Sequence, residues 1–164
     1  IELIVSLALI SLMRTLIGMI PAALLAIPFF GVSVFEMGLP LLGFFLNLVL
    51  TGWAISQFVT SILIRYGLGA ESLTWVLPFL IAPFSCIYYP LDVLPQWMQK
   101  VAGLVPASYV FEGMRSLLLE GEFKLNLLLQ AFGLNLLYIC TGVFCFLYAL
   151  QLARKHGLLI QSGE

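Results

Sequence analysis

Charge is scarce in this sequence: Asp, Glu, Lys and Arg together make up 9% of its 164 residues. An ordinary soluble domain carries about 25% charged residues, so this chain cannot cover its own surface with polar groups. The net charge of −1 leaves no basic face to displace counterions, and nucleic acid is not an expected partner. Histidine occurs once, at His156 beside Arg154 and Lys155, which excludes a histidine cluster for a metal. It also leaves a Ser–His catalytic pair a single candidate, placed in what reads as a solvated basic tail. The three cysteines, Cys86, Cys140 and Cys145, lie inside apolar runs without CxxC spacing. They read as small buried apolar side chains rather than disulfide or zinc partners. No GxxxxGK[ST] sequence is present to cradle a phosphate. The chain is therefore expected to be no enzyme and to hold no cofactor or metal of its own. Its first residue is Ile1 rather than Met, and the expectation is a piece of a longer protein lacking its natural start.

What is abundant is hydrophobicity. Apolar types make up 62% of the chain and the mean hydropathy is +1.12. They come in long runs, the pattern of membrane spans, each needing about 20 mostly apolar residues. The expected fold class is all-α: a polytopic transmembrane helix bundle of about four spans, with the lipid bilayer as its surroundings. The first span lies within Ile1 to Phe30. Arg14 at a bilayer centre would cost about 2.5–3.5 kcal/mol, so Ile1 to Met13 is expected to be a lead-in along the headgroups, with the span starting at Arg14. The second runs from Leu39 to Ile64, the third from Leu73 to Tyr89 with Pro78 and Pro83 as kinks, and the fourth from Leu125 to Leu150. The connectors Gly31 to Gly38 and Arg65 to Ser72 are short.

The segment Tyr89 to Lys124 is too long for a turn and too polar for a span. Pro95 can open one short helix and Pro106 a second, over Ala107 to Leu119, stopped near Gly121. The first would carry Trp97, Met98, Val101 and Leu104 on one face and Gln96, Gln99, Lys100 and Gly103 on the other. Together they predict a re-entrant or interfacial helical hairpin before the last span, returning to the side it left. Within it Glu112 and Arg115 are three apart and can pair, either as a latch or as ordinary surface charges.

Polar residues recur in the spans with helical spacing. Gly43, Asn47, Thr51, Ala54 and Ser61 share one side of the second span, with Gln57 at its border. Asn126, Gln130, Gly133, Thr141 and Tyr148 share a face of the fourth, while Asn135 points away from it. Such stripes serve close helix packing and interhelical hydrogen bonds, or line a pathway, and Asn47, Thr51, Gln57, Gln130 and Asn135 are the candidates for either role. Ionisable residues are missing from the middle of the second, third and fourth spans. That argues against a proton-coupled transporter and a voltage-gated channel.

The run PFSCIYYPLDVLPQWMQKVAGLVPASYVFEGMRSLLLEG resembles the segment before the last span of type-2 ATP-binding-cassette export permeases. The matching features are Tyr89-Pro90, Leu94-Pro95, an amphipathic stretch, Pro106, and then Tyr109, Glu112 and Arg115. Gly52-Trp53 and the Arg65 to Gly67 run suit a bacterial member. The resemblance implies six spans per subunit, both termini cytoplasmic, and a homodimer joined to two ATPase subunits that hold ATP and magnesium. Such permeases export drugs, lipid-linked glycans or polysaccharides. It further implies that residues 1–164 are one partial permease domain lacking the first two spans. The helix that contacts the ATPase would then lie at or before Ile1 to Arg14. Tyr89, Pro90, Pro95, Pro106, Glu112 and Arg115 would form an outer gate.

The resulting expectation is the membrane subunit of an ATP-driven exporter, forming half of a translocation path for an export substrate that the sequence does not name. It would be multi-pass in the inner or plasma membrane with its C-terminus cytoplasmic. Arg14, Arg65, Arg154 and Lys155 then lie inside, as the positive-inside rule asks, while Glu36 lies in an outer loop free of basic residues. The alternatives are a non-transporting assembly or anchoring subunit and, from a third class, a membrane-embedded enzyme.

Overall fold

The structure, a computed structural model, describes residues 2–30 and 38–155. His156 and the Glu36 loop lie outside them. Among the described residues every regular element is helical: α1 (Glu2–Phe30), α2 (Leu39–Tyr66), α3 (Glu71–Ile81), α4 (Gln96–Ala102), α5 (Pro106–Leu119) and α6 (Leu125–Lys155). Three short 3-10 turns join them, Gly67–Ala70, Ala82–Ser85 and Leu91–Val93. The all-α expectation holds for these residues. The chain divides after Leu42 into two compact units.

In the first unit, α1 runs without a break through Arg14 and keeps Pro21 and Pro28 inside it. The expected separation of a lead-in from a span at Arg14 is not found. Leu12, Met13, Leu16 and Ile17 are helix-compatible residues, and the one nearby breaker, Gly18, is absorbed by the helix. Leu9, Ile10, Met13, Arg14 and Ile17 are all exposed.

Among the described residues α2, which enters the second unit at Gly43, and α6 are the two helices long and apolar enough to cross a membrane. Their 28 and 31 residues give lengths of about 42 and 46 Å. Only 22% of the most apolar stretch of α2 and 17% of that of α6 is buried within the chain. The buried side of α2 comprises Phe44, Asn47, Thr51, Ala54, Val59 and Ser61. That of α6 comprises Ala131, Asn135, Gly142, Ala149 and Ala153, a narrow line of mostly small residues at helical spacing. Small side chains let two backbones approach. At Gly142 a Cβ would stand 2.9 Å from Gln57 Cβ, so that crossing requires glycine. Leu128 closes over Gly43, and Phe44 reaches α5, where a Cβ on Gly113 would come within 2.8 Å of its ring. Phe44, Val110 and Ala131 form the centre of this contact, flanked by Leu48, Met114 and Leu117.

The third expected span is not one helix. The α-helix α3 accommodates Pro78 but ends at Ile81. It tightens into the turn Ala82–Ser85 and stops at Cys86, which adopts a left-handed conformation with φ 57°. Pro83 supplies no N–H to continue the ladder, and a left-handed residue reverses the chain. Eleven α-helical residues cover only about 17 Å. The hairpin follows the prolines closely. Pro95 is extended and its carbonyl accepts the first helical bond, from Gln99 N–H at 3.0 Å. Pro106 is the first residue of α5, and Gly121 with φ +72° lies just past its end.

Candidate functional site

Two polar constellations emerge. The first is a seam between α2 and α6. Asn135 is fully buried. Its amide nitrogen donates to the Asn47 backbone carbonyl at 2.9 Å and to Asn47 Oδ1 at 3.1 Å. A backbone carbonyl only accepts, which fixes which end of the Asn135 amide faces it. Its Oδ1 therefore faces Thr51, whose hydroxyl donates to it at 2.9 Å and also lies 2.9 Å from the Asn47 carbonyl. Asn47 in turn donates from its amide to the Gly43 carbonyl at 3.0 Å.

Three of the five candidate pathway or packing residues, Asn47, Thr51 and Asn135, thus meet in one network. Gln57 lies half-buried nearly two turns further on, its aliphatic stem over Gly142. Gln130 does not join them. It is exposed with Asn126, Gly133, Thr141 and Tyr148, so the stripe that shares a face on α6 is turned away from α2. The buried line is the one containing Asn135. The signal in the sequence was steric: Ala131, Gly142, Ala149 and Ala153 mark the close-packing face better than the polar residues do. The cysteines also divide, for Cys86 is buried, Cys145 half-buried and Cys140 exposed.

The second constellation holds the hairpin. Arg115 pairs with Glu112 one turn away on α5. The pair is used further. Glu112 Oε1 accepts the Leu91 N–H at 2.8 Å, and Arg115 Nη2 donates to the Cys86 carbonyl at 2.9 Å. Two charged groups on one helix therefore grip both sides of the Cys86–Leu91 bend. Tyr89 lies within that bend and donates from its hydroxyl to the Pro83 carbonyl at 2.6 Å. Pro90 is extended and exposed. Cys86, Leu94 and Ala102 form a small core beneath, with Tyr89, Leu91 and Met98 against it.

The turn between α4 and α5 is tied by side chains from elsewhere. A helix C-terminus leaves carbonyls without partners. Ser108 takes that of Ala102 at 2.7 Å, Tyr109 that of Gly103 at 2.9 Å and Tyr138 of α6 that of Leu104 at 2.8 Å. Ser108 and Tyr138 were not singled out from the sequence. Tyr138 could have been, since it stands three residues beyond Asn135 and so shares its face. The expected apolar side of α4 is split: Trp97 and Val101 are exposed, as is Leu104 just past its end, while Met98 packs inward with Ala102.

At the end of α5 a further cluster ties the entry to α6. Glu120 accepts from Ser116 at 2.9 Å and from Lys124 at 2.8 Å. The Lys124 hydrogen bond, and then that from Ser116, hold the Glu120 carboxyl below the usual carboxylate range, and the same pairing raises Lys124.

Both constellations position backbone and pack helices; neither pairs a nucleophile with a base. Among the described residues no group of three or more His, Cys, Asp or Glu is arranged to hold a metal ion. Comparison of the chain with protein-family models, curated proteins and solved structures gives no match.

Proposed function

We propose that this chain is the membrane-spanning permease subunit of an ATP-driven exporter, with ATP hydrolysed by a separate ATPase subunit and a second permease copy completing the path. The observation that carries this reading is the pairing of two features. The long helices α2 and α6 have apolar flanks that the chain itself leaves uncovered. Between α3 and α6 stands a short two-helix hairpin clamped by Glu112 and Arg115. A long apolar helix in the core of a soluble protein would have most of its surface buried; these have about a fifth. In the proposed arrangement α1, α2, α3 and α6 cross the bilayer, with both α6 Arg154 and Lys155 on the cytoplasmic side. With its following turn, α3 reaches about 25 Å, short of the full hydrocarbon thickness, and a locally thinned bilayer would accommodate it. The hairpin then lies in the outer interface with Trp97, Val101 and Leu104 towards lipid.

The test is topological. Single cysteines at Lys100 and Lys124, in a background without the native cysteines, should both react with a membrane-impermeant thiol reagent from outside. Cysteines at Arg65 and Lys155 should react only after the membrane is opened. Labelling of Lys100 and Lys124 from opposite sides would rule out the hairpin. For the exporter itself, the full-length protein should co-purify with an ATPase; recovery without one, in repeated mild extractions, would favour the second reading. That reading, a non-transporting assembly or anchoring subunit, draws on one observation: Asn47, Thr51 and Asn135 hydrogen-bond to one another, as packing residues do.

A further inference from the structure

Helix α3 is held at its two ends and little between them. At one end Ala70, in the turn from α2, is buried; at the other, Ser85 and Cys86 are buried. The Cys86 carbonyl is tied to α5 by Arg115, and the bend that follows by Glu112. Between these anchors no described residue of α3 is buried, whereas α5 buries six residues and α6 five. A segment with so few buried contacts belongs to the least stable part of a structure. The outer side of α3, with Trp75, Val76, Phe79 and Leu80, is exposed. On its inner side Leu77 and Ile81 line a half-open apolar cavity of about 250 Å³, faced by Ile55 and Phe58 of α2. Side chains around such a space forgo contacts that closing it would supply.

A hinge lies in the same helix. Pro78 stands inside α3, exposed, and offers no N–H to the Thr74 carbonyl. A missing bond beside a proline is where helices change angle. Thr74 itself is half-buried, and among the described residues its hydroxyl is the covered side-chain polar atom that lacks a hydrogen-bond partner. An unmet hydroxyl is a cost carried by the present position of that turn.

We propose that α3 is a strap poised to close: it changes angle at Pro78 and carries Leu77 and Ile81 onto Ile55 and Phe58, while Ala70 and Cys86 stay in place. The movement is about 4 Å, the radius of a sphere of the cavity's volume. It needs no ligand, no ATPase and no second copy, so its failure leaves the exporter reading standing.

Spin labels at Phe79 and Phe144, both exposed, read the movement by double electron–electron resonance on the full chain in nanodiscs, with the native cysteines replaced by alanine. Two distances should appear, differing by about 4 Å. Labels at Val93 and Phe144 should give one, because Val93 lies beyond the anchored end. Ile55→Trp or Phe58→Trp, whichever gives a monodisperse protein, fills the cavity and should leave one of the two Phe79 distances. Pro78→Ala restores the helical N–H and should likewise leave one. A single parent distance that filling displaces by about 4 Å means that the closed position prevails, and upholds the proposal. A single parent distance that filling does not move overturns it; a lipid chain lodged in the cavity would give this result. Two distances that persist in the filled variants, or in Pro78→Ala, also overturn it, since the motion would then not enter this cavity or not turn on this proline. So do two distances from Val93, which would make the motion one of the whole unit.

Discussion

Substituting Asn135 by Asp and by Leu separates charge from shape at the α2–α6 seam. Asp is isosteric with Asn, so its difference from the parent is electrostatic and not steric, whereas Leu removes the polar atoms. Asn135→Leu removes three interhelical hydrogen bonds, and at the average of roughly 0.6 kcal/mol measured for such bonds in membranes the loss is about 2 kcal/mol. Thr51 keeps a partner, because its hydroxyl already reaches the Asn47 carbonyl. Asn135→Asp retains the bond from Thr51 but turns an anionic oxygen towards two oxygens of Asn47. Adding about 3 kcal/mol for a carboxylate near a helix centre brings its cost to about 4 kcal/mol. Unfolding in mixed micelles of increasing SDS content, followed by tryptophan fluorescence, measures both. The Asp deficit should shrink on acidification, because protonation removes the charge. An Asp variant within about 1 kcal/mol of the Leu variant would mean that Asn135 is wetted, and the dry seam would be wrong.

The glycines give a paired expectation. Gly142→Ala should destabilise by about 1–3 kcal/mol through overpacking on Gln57, while Gly133→Ala, facing open space, should be neutral or stabilising; equal melting temperatures would refute the close crossing. Arg115→Ala removes the donor to the Cys86 carbonyl and the cation beside Glu112 and should loosen the bend, seen as faster hydrogen exchange at Leu91. Glu112→Gln, whose amide oxygen can still accept the Leu91 N–H, should have the smaller effect, and the reverse order would count against the clamp. The third expectation is a pH window. Glu120 titrates below its ordinary 4.5 and Lys124 above its ordinary 10.5, each chiefly through their mutual hydrogen bond. The stabilisation by Glu120 is complete above 4.5 and fades as pH falls through its lowered value. That by Lys124 is complete below 10.5 and fades as pH rises through its raised value. Lys124→Gln should shift the Glu120 carboxyl titration upward by NMR; an unmoved midpoint would show that the pair is not formed in solution.

Backbone chemistry was the most legible part of this sequence. Pro95, Pro106 and Gly121 mark the hairpin helices because a missing N–H or a positive φ acts locally, whatever the tertiary context. The ends of α2 and α6 were legible for a similar reason, since Gly38, Arg65 and Lys124 bound long apolar runs. Two things were not. Which face of α6 packs depends on its neighbour, and polarity misled where size decided: Gln130 and Gly133 face outward, while Ala131 and Gly142 face α2. The early end of α3 depends on two prolines together. Pro78 alone is absorbed by the helix, and only with Pro83 and the left-handed Cys86 does the chain turn. The Glu112–Arg115 pair was visible as a spacing, but its grip on Cys86 and Leu91 joins groups 29 and 21 residues apart, a separation no helical period encodes.

Those separations also order the protein's assembly. Every bond of the clamp lies between Cys86 and Arg115, so the hairpin can close as soon as that stretch has left the ribosome. The seam has to wait, because Asn135 meets Asn47 across 88 residues, and closing that longer loop costs about 1 kcal/mol more in chain entropy than closing the clamp. During synthesis Asn47 and Thr51 therefore have only their partners within α2 until the last helix arrives, and α6 docks against a hairpin that is already formed. A truncated chain ending before Leu125 would keep its bend and lose its seam.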